Sequence, residues 1–387
     1  MSDMNLMAAS TQWANRPEDE RFFAIDELHA NLQNQRHWAR ERTTDAGDLS
    51  IVANGGQLKL VDASAYGNEP SLNHWSLGQL CRIIGAPAEY IRTLPASLAA
   101  QNLSDGLQRN LASDKPVMLF TGEHELRALT SERYTRIYDL DVVSWVRDNA
   151  LEEQGWRVPP ARPVYGQQHG TRPATEADVL ANRNGQGGLS INIGDLIAPA
   201  GLYASDHDVF MFMVNEQIRI EDGSAGGLSR GFFISNSETG AACFNVTRFL
   251  YRTVCGNHIV WGAKQVEQIR LRHVGSADVR AFDGLRGQIG VYAQGSAVQE
   301  QQLIQAAQQL KLAAAPEQMI DFLFNRRLLS RKLAEKAFAL VDPDQHEDPY
   351  TSWGIAQGVT RLSQQSQYAD QRVAMDGVAT QILELAS

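Results

Sequence analysis

Residues Thr247 to Cys255, with Asn257 and His258 just beyond, bring together more side chains capable of chemistry than any other stretch of the chain. The spacing predicts a short helix on which Arg248, Tyr251, Arg252 and Cys255 stand at i, i+3, i+4 and i+7, and therefore share one face. Arg248 and Arg252 would then lie one turn apart, about 6 Å of rise, close to the spacing of successive phosphates along a single strand. Tyr251 between them suits stacking on a base. Lys264, Arg270 and Arg272 would extend the same basic track. From Gly240 to Gly290 seven basic residues face three acidic ones, a local excess of four positive charges. The bland alternative is a half-buried helix whose arginines pair with carboxylates elsewhere.

Cys255 and His258 also allow a thiolate nucleophile with a neighbouring base. A zinc set of Cys255, His258 and His273 lacks a fourth ligand. Gly256 as a helix stop, helped by Asn257, explains the same residues more economically. Asp206 and Asp208 flank His207 at strand spacing, which would point both carboxylates to one side and offers the start of a two-metal nuclease site. Glu216, Glu221 and Asp222 follow, without a recognised nuclease pattern. Asn236-Ser237-Glu238-Thr239-Gly240 has the composition of a tight turn, with Glu238 expected at an exposed tip. No phosphate-binding loop, dinucleotide fingerprint, nucleophile elbow or paired-histidine zinc helix occurs, so no cofactor is expected.

The elements that must position these residues follow from patterning. A helix is expected from Pro17, with Phe22, Ile25, Leu28 and Leu32 at helical spacing and Arg36, Arg40 and Arg42 toward its end. Leu49 to Ala53 and Gln57 to Val61 form a hairpin across Asn54-Gly55-Gly56. A helix opens on the Ser76–Gln79 capping box and stops at Gly85 and Pro87. Strands are expected at Val117–Phe120, Glu125–Leu129, Arg133–Tyr138 and Val209–Val214, the last apolar throughout and so buried on both faces. Asp139 caps a helix through Val142, Val143 and Val146. From Gln294 onward the texture is helical. The fold class is α+β: a central, mainly antiparallel sheet with β-hairpins and packed helices, flanked by N- and C-terminal helical segments. Four segments result: an N-terminal helical arm (1–48), a small hairpin plus helical subdomain (49–115), an α+β core domain (116–292) and a C-terminal helical region (293–387).

A net charge of −10 argues against broad attraction to nucleic acid or anionic lipid but leaves room for one basic face. The three cysteines form no disulfide framework, and the N-terminus lacks a secretory pattern, so a cytoplasmic protein is expected. The longest apolar run, Val209–Val214, is far below the ~20 residues of a membrane span.

Four stretches resemble a family associated with phages and plasmids, catalogued as domain of unknown function nine hundred and thirty-two. They are SLNHWSLGQLCRIIGAPAEYIRTLP, LRALTSERYTRIYDLDVVSWV, FFISNSETGAACFNVTRFLYRTVCGNHIVWGA and TSWGIAQGVTRLSQQSQ. The resemblance spans roughly Leu72 to Gln367, and it brings no catalytic residue with it. The layout of strand, hairpin and basic helix is fainter in its likeness to the core of single-strand annealing recombinases, which assemble as rings. The leading expectation is a non-enzymatic protein that binds single-stranded DNA and promotes annealing in replication or recombination. It would act as a homo-oligomer through Arg248, Tyr251, Arg252, Lys264, Arg270 and Arg272. The alternatives are a metal-dependent nuclease using Asp206 and Asp208, and a protein-binding module acting on a host factor.

Overall fold

A computed structural model describes residues 18–63, 69–109, 116–151, 154–158, 162–163, 171–184, 191–199, 201–223, 227–252, 258–259, 269–364 and 369–386. The first strand and α-helix of the described residues are β1 (Arg21–Phe22) and α1 (Ile25–Trp38). The helix starts later than its acidic prelude suggests. Residues Arg21 and Phe22 are drawn out as a strand on Tyr203 and Leu202, and the Glu27 carboxylate accepts from the Phe23 and Ala24 amides at 3.0 and 3.3 Å. Ile25, Leu28 and Leu32 then turn inward along one stripe.

A six-stranded sheet follows, in the order β2-β6-β7-β5-β4-β3. Its strands are β2 (Arg40–Asp45), β3 (Leu49–Asn54), β4 (Gln57–Asp62), β5 (Ser71–Leu72), β6 (Pro116–Thr121) and β7 (Glu125–Ser131). Arg40 and Arg42 thus belong to an exposed edge strand, not to the end of α1. The sheet also runs across the expected segment boundaries, taking β2 from the arm and β6 and β7 from beyond residue 115. The β3–β4 hairpin pairs Asn54 with Gln57, and Gly55 and Gly56 supply the positive φ of 58° and 84° that the two-residue turn demands. Helices α2 (His74–Ile84), α3 (Ala88–Thr93) and α4 (Ala96–Arg109) cover this sheet, burying Leu80, Ile91, Leu103 and Leu107 against Leu49, Leu60 and Leu126. The cap of α2 is Asn73, whose side chain accepts from the Ser76 amide at 2.8 Å while Ser76 Oγ accepts from the Asn73 amide at 3.0 Å. Capping one turn earlier than expected leaves Gln79 free for another task.

Helix α5 (Asp139–Val146) precedes β8 (Trp156–Arg157) and a small sheet of β9 (Arg162–Pro163), β10 (Arg172–Pro173) and β11 (Leu196–Ala198), beside α6 (Glu176–Asn184). The expected strand Arg133–Tyr138 is irregular chain with one bridge, Tyr134 to Val274. The central sheet, with all its pairings antiparallel, comprises β12 (Leu202–Ala204), β13 (Val209–Ile220), β14 (Leu228–Asn236), β15 (Phe244–Arg252), β16 (His258–Ile259) and β17 (Ile269–Leu271), closed by β1 on β12 and β8 on β13. Met211, Met213, Phe232, Ile234, Phe244 and Val246 join a core with α1, α5, α7 (Ala277–Leu285) and α8 (Val291–Gln294). Phe210, Phe212, Phe233 and Phe249 lie on the opposite face, Phe210 stacked on Phe233 and Phe212 tilted against Phe249. All are buried, as the unbroken apolar run Val209–Val214 requires.

Helices α9 (Val298–Gln309), α10 (Pro316–Asn325), α11 (Arg331–Ala339), α12 (Ser352–Gln364) and α13 (Ala369–Leu383) form a further core that receives Ile220, Leu228 and Leu250 from the ends of three central strands. The fold is α+β. Among the described residues no helix is long and apolar enough to cross a membrane.

Candidate functional site

The basic stripe does not form as the spacing suggests, because residues 244–252 are the strand β15. Every residue from Asn245 to Arg252 is in register with β14, and Val246, Thr247, Phe249 and Tyr251 are the types that fill a pleated surface. A ladder to β14 along its whole length outweighs the weak helical preference of this sequence. On a strand positions 248 and 251 fall on opposite faces, and positions 248 and 252 are separated by about 13 Å rather than one helical turn. The side chains of Tyr251 and Arg252, and residues Cys255, Asn257 and Lys264 entirely, lie outside the described residues. For His258 the description extends to its backbone pairing with Tyr251.

Arg248 is half-buried, with its guanidinium 5.0 Å from the centre of the Tyr292 ring. Arg230 approaches the same ring, donates to the carbonyls of Tyr292 and Gly295 at 2.7 Å each, and pairs with Glu300 at 2.9 Å. These two arginines fasten α8 and α9 to the sheet.

Asp206 and Asp208 are also placed differently from expectation. Residues 205–208 form the turn between β12 and β13, not a strand, so the pleat does not align the two carboxylates; the His207 ring lies between them, 3.8 Å from Asp208 through Nε2. Asp208 accepts from Tyr203 and Ser205 at 2.6 and 2.5 Å, whereas Asp206 pairs with His207 and accepts from Asn73 at 3.2 Å. The His207 contact holds the Asp206 carboxyl below its ordinary range. Among the described residues no three His, Cys, Asp or Glu side chains gather as a metal site. His273, considered as a zinc ligand, is instead buried face to face with Tyr134, ring centres 4.9 Å apart. Burial lowers its pKa to about 4.

The most concentrated polar chemistry lies at the turn Asn236–Gly240, which is buried rather than exposed at a tip. Its turn character is as expected: Gly240 has φ 87°, and Ser237 Oγ accepts from the Ala241 amide at 2.8 Å. Glu238, however, is only 4% exposed, inserted between the two large sheets. Arg127 of β7 pairs with it at 2.5 Å, the Asp139 amide donates to its other oxygen at 3.1 Å, and the Arg136 guanidinium donates to its backbone carbonyl. Asn236 donates to the Asp139 carboxylate at 2.7 Å and to the Ile137 carbonyl at 2.8 Å. Trp75 and Gln79 of α2 both donate to the Thr239 carbonyl, at 3.2 and 2.9 Å, and the Tyr134 hydroxyl donates to that of Ser237 at 2.8 Å. Gln79 also accepts from the Leu129 amide at 2.8 Å, locking α2 onto β7. Burial, reinforced by the nearby Glu238, pushes the Asp139 carboxyl well above its usual range. This is a joint: the Glu238 carboxylate, the Asn236 side-chain amide nitrogen and the carbonyls of Ser237, Glu238 and Thr239 are each met by a residue more than ninety positions away.

A basic ledge borders the joint. The chain at 133–135 runs antiparallel to 273–275, with the Thr135 amide on the His273 carbonyl at 2.9 Å and Thr135 Oγ1 on the Gly275 carbonyl at 2.5 Å. Arg133, Arg270, Arg272 and Arg280 are exposed along this crossing. Among the described residues no carboxylate forms an ion pair with Arg133, Arg272 or Arg280. The sequence reading anticipated Arg270 and Arg272; it missed Arg133, and it missed Arg127, Arg136, Trp75 and Gln79 in the joint. No local pattern marks those residues, since their role is set by what crosses over them.

An α+β protein built on a buried polar joint between two sheets is the class that fold and site define. Residues 192–373 match the model of a family described as a domain of unknown function (DUF932). No curated protein and no solved structure matches the chain.

Proposed function

We propose that the protein binds single-stranded nucleic acid as a homo-oligomer, serving replication or recombination of a phage or plasmid, with annealing as the reaction it promotes. The observation that supports this reading is the ledge: Arg133, Arg272 and Arg280 stand in solvent without carboxylate partners among the described residues, alongside exposed Arg270, on a molecule whose net charge is −10. Cations left uncompensated in an acidic protein are available to phosphates, and annealing needs no cofactor once repulsion between strands is screened. Self-association would join short ledges into a longer track.

The test is fluorescence anisotropy of a labelled single-stranded oligonucleotide over a range of salt. Affinity should fall as salt rises, and Arg133→Ala and Arg272→Ala should each lower the salt slope by about one unit. Absent binding at low salt, or binding indifferent to salt, overturns the proposal. Cleavage of the oligonucleotide with magnesium or manganese, abolished in Asp208→Asn, would instead support the nuclease reading. Capture of a host protein that survives nuclease treatment would support the protein-binding reading.

A further inference from the structure

The joint places two carboxyl groups where only one cation is committed to them. Arg127 gives one nitrogen to Glu238 at 2.5 Å and another to the Asp206 carbonyl at 3.1 Å. Arg136, the next cation, is engaged by the Glu41 carboxylate and by the backbone carbonyl of Glu238. Asp139, 1% exposed, therefore has the Asn236 amide but, among the described residues, no guanidinium paired with it. Among the described residues the other titratable groups near the pair are acids: Asp141 on α5, Asp208 on the 205–208 turn, Tyr134 beside the loop and Cys243 after it. His207 of that turn is already bonded to Asp206. A second negative charge here would be buried without compensation.

We propose that the joint is a proton-operated latch: one proton held on the buried Asp139 carboxyl beside Glu238 keeps the Asn236–Gly240 loop locked between the two sheets, and loss of that proton to hydroxide at alkaline pH loosens the contact. The elements released together are the loop itself, the N-terminus of α5 through the Asp139 amide, and β7 with α2 through Arg127 and Gln79. Because the Tyr134 hydroxyl holds the Ser237 carbonyl, loosening also reaches the chain that carries the ledge. The latch stands on the joint's own geometry and is independent of whether the ledge binds nucleic acid.

Hydrogen–deuterium exchange on the full chain, corrected for the intrinsic pH dependence of exchange, tests this from about pH 6 to about pH 10, where ordinary carboxylates stay ionised throughout. Amides of 236–241 and 127–131 should lose protection at least about tenfold as pH rises, while those of α12, remote from the joint, should not. In Asp139→Asn, which cannot ionise and keeps an acceptor for Asn236, protection should persist across the range. Should that variant fail to fold, infrared spectroscopy of the wild-type protein gives a separate reading: a protonated carboxyl C=O band present at neutral pH and lost on alkalinisation. Protection in the wild-type protein that does not change with pH, or absence of the protonated band, overturns the latch.

Discussion

Replacing Arg127 with methionine isolates the energetics of the joint. The Arg127 side chain is 4% exposed and that of Glu238 5%, so solvent does little to screen their 2.5 Å pair. Methionine fills much of the same volume but leaves Glu238 buried beside Asp139 with no cation, and it also abandons the Asp206 carbonyl and the face of the Phe120 ring. Breaking a buried pair from one side costs about 3–5 kcal/mol, against roughly 0.2–1 kcal/mol for an exposed pair. The double variant Arg127→Met/Glu238→Gln removes the stranded charge, so it should lose less stability than Arg127→Met alone. Urea denaturation followed by tryptophan fluorescence suits the question because Trp75 is bonded into the joint. A loss below about 1 kcal/mol for the single variant, or a double variant that is simply additive, would refute the claim that this pair is desolvated and interdependent.

Two further outcomes follow from other parts of the molecule. Gly358→Ala would drive a methyl into the Ala337 carbonyl where α12 crosses α11, and should lower the thermal midpoint with a loss of about 1–3 kcal/mol, because backbone is the obstacle. His273, buried on Tyr134 with its pKa lowered to about 4, must be neutral in the folded protein. Its folded value lies below its unfolded one, so the associated stability is present above about pH 6.5 and is lost as pH falls toward 4, amounting to roughly 3 kcal/mol at most. NMR of the imidazole should show titration near that lowered value. Titration near the ordinary histidine value would contradict the burial.

Much of the architecture was legible because one local signal sufficed. The Asn54-Gly55-Gly56 turn, the unbroken apolar run of β13 and the helical texture after Gln294 each fix an element without outside help. β2 was missed because RERTTD is a charged edge strand with no apolar alternation, held by pairing to β6. β15 was misjudged since Arg248, Tyr251 and Arg252 coincide with helical spacing while the neighbouring ladder decides the backbone. Glu238 illustrates the deeper limit. A polar turn looks exposed from its own composition, and only Arg127, Arg136 and Trp75, brought from distant sequence, make its burial tolerable.

The family segment begins at residue 192, yet the guanidinium that answers Glu238 belongs to residue 127, and the indole on Thr239 to residue 75. Strands β1 and β8, which flank the central sheet, also precede it. A fragment cut to 192–373 would present a naked acid and two raw sheet margins, inviting precipitation whatever the activity of the whole. Any dissection of this chain should therefore keep the upstream sheet attached.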